Sequence, residues 1–234
     1  MGTIWGYVTD RYYTESDFEN GVLKPGIPVP DGVSPNPGDV LFKDFDEDGK
    51  IMNARTADDL RDQRIIGNSS LRFQYGINGG VSWNNFDFSF YIQGVGKRDL
   101  WVSNELTFPG YYQWGSLYTH LSDYWTPDNV NAKYPRAYQT GISDRNYTSN
   151  IRSQTKYLKN GAYMRVKNIA LGYTIPASIT KKYGINQLKI NGSIENPFLF
   201  HHLPEGMDPT LDSKGRGIGY PVMRIYSFGL SLNF

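Results

Sequence analysis

The stretch that most limits what this chain can fold into is its last one. From Tyr226 every second residue is large and apolar, through Phe228, Leu230 and Leu232 to Phe234, and the residues between are Ser227, Gly229, Ser231 and Asn233. Successive side chains of a strand point to opposite faces, so this alternation makes a strand greasy on one side and wet on the other. The sequence stops on an aromatic residue with no polar tail, whereas the termini of soluble domains usually fray into water. A strand with lipid on one face and a polar lumen on the other satisfies both observations. That is the pattern of a membrane β-barrel.

The same alternation recurs upstream. Leu71, Phe73, Tyr75, Ile77, Val81 and Trp83 interleave with Arg72, Gln74, Asn78 and Ser82. Asn84-Asn85 then suits a two-residue turn, because asparagine tolerates positive φ, and Phe86, Phe88, Phe90 and Ile92 alternate with Asp87, Ser89 and Gln93. The two runs predict a hairpin whose arms match the roughly 9–11 residues of a tilted membrane strand. Residues 157–175 predict a strand with a bulge at Asn160-Gly161, Pro176 to Tyr183 a short helical or turn connection, and Leu188 to Glu195 another strand. Ile4 to Val8 and Asp39 to Lys43 read as short strands, and the spacing from Ser16 to Glu19 fits a capping box opening one helical turn. Residues 24–38 are too rich in proline and glycine for regular structure. Segments 97–161 and 197–221 show no long alternation and are expected to be long loops. With the last strand ending in the periplasm, long connections from residue 44 onward fall on the external side and short ones opposite, as in outer-membrane barrels; before residue 44 the 10–37 connection would be long on the periplasmic side.

Composition narrows the function classes. The 24 basic and 23 acidic residues nearly cancel, so no strong pull toward nucleic acid or anionic lipid follows. Cysteine is absent, which removes disulfides, thiolate metal sites and cysteine nucleophiles together. No apolar run is long enough for a transmembrane helix, while alternating strands are compatible with the polar mean hydropathy of -0.52. Met1 leads at once into strand-like Gly-Thr-Ile-Trp-Gly-Tyr7 rather than a signal peptide, so the barrel reading implies the tail of something longer.

Several motifs occur in a fixed order: Pro37-Gly-Asp39, Lys43-Asp-Phe-Asp-Glu-Asp-Gly-Lys-Ile51, Arg64-Ile-Ile-Gly67, Asp123-Tyr-Trp-Thr-Pro-Asp-Asn129 and Tyr134-Pro-Arg136. They continue with Gly161-Ala-Tyr-Met-Arg-Val-Lys-Asn-Ile-Ala-Leu-Gly-Tyr173, Asp208-Pro209 and the terminal strand. Together, over residues 37–234, they resemble SusC/RagA-type TonB-linked outer-membrane transporters (TonB-dependent transporters) of the Bacteroidetes. The resemblance implies an all-β fold: the C-terminal strands of an antiparallel transmembrane β-barrel of about 22 strands, with long external loops. Residues 1–234 would form the C-terminal portion of one barrel domain, with plug, TonB box and signal peptide absent from it. It further implies import of oligosaccharides or peptides for nutrient uptake at the cell outer membrane, without enzyme activity. The implied partners are a SusD-like surface lipoprotein, TonB through the missing N-terminal part, outer-membrane lipid and the barrel-assembly machinery, with no nucleic acid. In this family Tyr226, Phe228, Leu230, Leu232 and Phe234 would be the barrel-assembly signal.

Two constellations are candidate sites. Asp44, Asp46 and Asp48 with Gly49 and Ile51 match the start of a D-x-D-x-D-G calcium loop, in which alternate carboxylates converge on one cation. Position twelve is Arg55 rather than a bidentate glutamate, leaving Asp58, Asp59 or Asp62 as substitutes. The plainer reading, an Asp/Gly turn whose carboxylates bond backbone N–H groups, is preferred, so calcium is the one cofactor considered. Tyr111, Tyr112, Trp114, Tyr124 and Trp125 could stack on sugar rings or meet a lipoprotein lid, or pack the loops on one another. His201-His202 lacks a third metal ligand, and no nucleophile motif is present. The alternative reading is a secreted calcium-dependent β-sandwich carbohydrate-binding module; an enzyme would need a convergent pair of acids.

Overall fold

The computed structural model describes residues 2–56, 58–105, 107–112, 114, 117–204, 206–210 and 222–234. The alternating segments form one five-stranded antiparallel sheet. Its strands are β1 (Arg72–Trp83), β2 (Phe86–Lys97), β3 (Tyr163–Thr174), β4 (Gln187–His201) and β5 (Ile225–Asn233), each paired with the next in chain order. β1 and β5 are its two edges. The predicted turn joins β1 to β2, with Asn84 at φ 57.

Register gives the sheet its two characters. Phe88 pairs with Val81 and Leu171, Leu171 with Gly192, and Gly192 with Phe228, which puts these side chains on one face. The adjacent rung runs Ser82, Asp87, Gly172, Asn191, Gly229 and faces the other way. Among the described residues nothing covers the greasy face: Leu171 is 51% and Phe228 89% exposed. On the polar face the Lys189 ammonium reaches Asp87 Oδ2 at 2.6 Å, and Ser82 Oγ donates to Asp87 Oδ1 at 2.7 Å. That ion pair crosses β3 above Gly172, where a Cβ would lie 2.9 Å from Lys189 Cε.

The bulge expected at Asn160-Gly161 lies further on. Tyr91 pairs with Asn168 but Ile92 with Val166, so Lys167 is the extra residue. Between β3 and β4 the shift falls at the same level, where Asn196, at φ 51, and Pro197 together stand across from the single residue Lys167. β4 thus continues through a proline that marked the start of a loop in the sequence. Pro197 is tolerated because β5 begins only at Ile225, opposite Glu195. There Arg224 donates to the Pro197 carbonyl at 2.7 Å and Asn196 Nδ2 to the Met223 carbonyl at 3.1 Å, replacing ladder bonds. Of the two forms expected for the connection after β3, the helical one is found, Ala177–Thr180 and then Lys181–Tyr183, stopped by Gly184 at φ 73.

A separate unit is drawn mainly from residues 1–70 and 99–159. Short strands frame it: Thr3–Tyr7 pairs with Gln63–Asn68, Thr9–Tyr12 with Val40–Phe42, and Val29–Pro30 runs parallel to Lys50–Ile51. The capping box forms two residues earlier than expected, around the 3-10 turn Glu15–Asp17. Asp17 is recruited there because it accepts from Thr14 N at 2.7 Å and from Arg11 at 2.5 Å. Segment 97–161 is less irregular than its sequence: it holds the helix Arg145–Asn150, capped by Asp144, and 3-10 turns at Thr119–Leu121 and Gly141–Ser143.

Tyrosine builds this unit's interior. One core gathers Tyr7, Tyr12, Val40, Phe42, Ile51, Trp125 and Ala132, another Phe108, Leu121, Tyr134, Tyr147, Ile151 and Tyr157. Loops carry carbonyls that no ladder satisfies, and a buried ring with a hydroxyl supplies both burial and a donor. Tyr147 OH donates to the Pro109 carbonyl at 2.8 Å, Tyr13 OH to that of Pro28 at 2.5 Å, and Tyr12 OH to that of Lys133 at 2.9 Å. Gly38 has φ 91 and lies against Trp125, whose ring would stand 2.3 Å from a Cβ. Gly38→Ala should therefore destabilise the unit by roughly 2–4 kcal/mol through left-handed strain and overpacking, read as a lowered melting temperature in near-UV circular dichroism.

Candidate functional site

The acidic loop leaves the strand Val40–Phe42 and turns at Glu47, φ 57, and Gly49, φ 79. It brings Asp44, Asp46 and Asp48 together, with one carboxylate oxygen of each within 4.8 Å of the others. Much of their bonding capacity is used locally. Asp44 accepts from Glu47 N and Gly49 N at 2.8 Å each, and Asp48 from Lys50 N at 2.8 Å. Asp62, fully buried at 0% exposure, closes the loop by accepting from Phe45 N at 2.9 Å and Met52 N at 2.7 Å. Asp59 lies 3.7 Å from the Arg61 guanidinium. Desolvation, and then the charges of Asp62, Asp48 and Asp44, hold the Asp46 carboxyl above its ordinary range. The donor set suits a hard cation in kind, being all oxygen. Counted as one oxygen from each side chain, the three carboxylates supply three of the roughly six to eight oxygens calcium takes.

The five aromatic candidates separate by exposure. Trp125, 4% exposed, belongs to the first core, while Tyr111 and Tyr124 are partly buried against the second. Tyr112 and Trp114 face solvent, Trp114 at 90% exposure. Tyr111 supports Tyr112 edge-on at 4.9 Å between ring centroids. His201 Nδ1 accepts from Leu203 N at 3.1 Å, a local turn contact. The terminal-strand residues Tyr226, Phe228, Leu230 and Leu232 lie on β5 with exposed side chains, and Phe234 follows it, also exposed.

Asp39, quoted above only as part of a motif, organises the loops around these groups. It is 2% exposed and accepts from Asn36 N at 2.8 Å, Tyr138 OH at 2.7 Å and Asn150 Nδ2 at 2.7 Å. Burial pushes its carboxyl above the usual range, against the opposing effect of those donors. The folded state thus holds this proton more tightly than the unfolded chain. The resulting stabilisation is complete below the unfolded value and fades as pH rises through the folded one. Nothing in residue type marks Asp39 as buried; its partners lie up to 111 positions away.

No protein-family model matches the sequence. TonB-dependent receptor P3 of Formosa agariphila is 27% identical over 250 residues, covering 100% of this chain and 22% of the relative. TonB-dependent receptor P39 of the same organism is 27% identical over 215 residues, covering 84% of this chain and 19% of the relative. The chain therefore spans about a fifth of these curated relatives. Among solved structures, the RagAB peptide importer in its open-open state superposes with a TM-score of 0.66 at 17% identity, covering 99% of this chain and 22% of that one. The RagAB peptide transporter gives 0.64 at 16% identity, covering 99% and 22%. The resemblance to TonB-linked transporters read from the ordered motifs is borne out, and so is the fold class: the open five-stranded antiparallel sheet belongs to an all-β chain that superposes on part of the RagAB importer structure. The relatives are named as receptors and importers, not enzymes.

Burial separates the two tryptophans experimentally. Trp125→Ala should cost about 3–5 kcal/mol and Trp114→Ala less than about 0.5 kcal/mol, compared by denaturant unfolding followed through tyrosine fluorescence.

Proposed function

We propose that the chain forms wall and external loops of an outer-membrane TonB-dependent importer that takes up oligosaccharides or peptides. The observation that carries this is the register-matched sheet, with one bare apolar face and one hydrogen-bonded polar face. The likeness to TonB-dependent receptors and to the RagAB peptide importer supports it. In this reading the row Val81, Phe88, Leu171 and Phe228 meets lipid, and Ser82, Asp87 and Lys189 face the conduit. Binding and gating replace chemistry, and TonB supplies work through a part of the protein outside this sequence. Tyr226, Phe228, Leu230, Leu232 and Phe234 present the strand to the barrel-assembly machinery. Tyr112 and Trp114 are the ring faces open to ligand or to a SusD-like lipoprotein, and any calcium at Asp44, Asp46 and Asp48 would stiffen the external loop. A secreted β-sandwich module fits less well, because a sandwich buries one face of each sheet against the other.

Two neighbouring substitutions in the full-length protein test the assignment of faces. Phe228→Arg places a charge in lipid, costing about 2–4 kcal/mol near the midplane. It should strip the heat-modifiable barrel from the outer membrane. Ser227→Arg points into the lumen and should leave the barrel level unchanged; equal effects of the two changes would defeat the reading. Trp114→Ala should weaken ligand or lipoprotein capture at an unchanged barrel level, measured by pull-down from solubilised membranes.

A further inference from the structure

Arg165 and Asp208-Pro209 belong to two of the ordered motifs, and neither has a role in the reading above. Arg165 lies on the polar face of β3, opposite Gln93 and Leu199, towards the end of the sheet from which the long connections leave. It is 3% exposed. Its Nη2 donates to Asp208 Oδ2 and, at 3.3 Å, to Thr210 Oγ1. Its Nε, on the same edge of the guanidinium, is buried without an acceptor. The reason is visible in Asp208, whose other oxygen turns back to Thr210, accepting from its N at 2.8 Å and its Oγ1 at 2.7 Å. Only half of the guanidinium fork is therefore used. Beside it Arg98, 7% exposed, donates from Nη1 to the Pro209 carbonyl at 2.8 Å, so a second buried cation holds the same segment.

A guanidinium edge offers two parallel N–H groups that match the two oxygens of a carboxylate or sulfate, and paired contacts of this kind are the strong ones. An orphaned buried N–H is costly. An anion free to orient itself would satisfy both donors, which Asp208, tied to Thr210, does not. We propose that Arg165 anchors an oxyanion-binding subsite on the polar face, and that Asp208 occupies it from within the chain as a displaceable internal ligand. The ligand class is a bidentate oxyanion, either a carboxylate or a sulfate ester. Binding would exchange Asp208 for the incoming group and free the segment around Pro209. The subsite is defined by anion binding alone, so it stands or falls independently of any role in import.

The test is sulfate binding by isothermal titration to the full-length protein in detergent, at constant ionic strength with chloride as the balancing salt. Asp208→Asn removes the internal competitor and should tighten sulfate binding about tenfold or more. Asp208→Asn combined with Arg165→Gln should abolish it. Thr210→Val keeps every charge and removes the Oγ1 donor, one of the two bonds that turn the second Asp208 oxygen away, while the residue 210 N–H remains; Asp208 then turns further into the fork, which should weaken sulfate relative to wild type. This variant keeps the test decisive if Asp208→Asn fails to assemble. Unchanged affinity in Asp208→Asn, sulfate retained by the double variant, or tighter binding in Thr210→Val would each overturn the proposal. Galacturonate run alongside sulfate identifies the source: competition between them supports a subsite for sugar-borne acids, and binding of sulfate alone one for the free ion.

Discussion

Strand register is the constraint from which the sheet's other properties follow. Side chains alternate with a period of two, so a one-residue slip between neighbours moves a whole strand's apolar set to the wrong face. Here a slip of β3 would send Leu171 to the side of Asp87 and Lys189 and present Gly172 to the side of Phe88. The pairing is protected from both faces: aromatic and aliphatic rows interlock on one, and Lys189 reaches across β3 to Asp87 on the other. The Lys167 and Asn196-Pro197 bulges add residues without breaking this partition, since Ile92, Val166 and Phe198 still share a rung beyond them.

The loop-built unit solves the opposite problem. Its strands are too short to satisfy their own backbones, and its interior is held by long-range polar contacts to buried side chains. Asp39 is the densest of these, joining the proline-rich segment through Asn36 to the helix Arg145–Asn150 through Asn150. Asn150 also accepts from Val40 N at 2.7 Å. Tyrosine hydroxyls do the same work elsewhere, as where Tyr12 and Tyr157 meet at 2.7 Å. Removing one member of such a set leaves several buried groups unpaired at once, so its cost exceeds that of one hydrogen bond.

The five strands were legible because period-two alternation is a local property, and it survives in every one of them. The end of β4 was not: Pro197 reads as a breaker, and only the late start of β5 makes it harmless. The capping box moved to Thr14 because Arg11 selects Asp17, a contact that spacing alone does not rank. Of the candidate sites, the convergence of Asp44, Asp46 and Asp48 was readable from alternate positions around a glycine. The fates of Trp114 and Trp125 were not, since the same residue type serves a surface and a core equally well. Asp39 and Arg165 were invisible as individuals, because burial is decided by segments remote in the chain.

The two edge strands carry a consequence for handling the protein. β1 and β5 each offer, among the described residues, one row of backbone donors and acceptors with no neighbouring strand. Strand edges recruit further strands, and a long apolar edge does so most readily. In water and without a partner for either edge, the sheet would be a template open at both ends, able to zip onto copies of itself and grow. Overproduction would then favour aggregation through these two edges, and whatever pairs with them would protect the sheet.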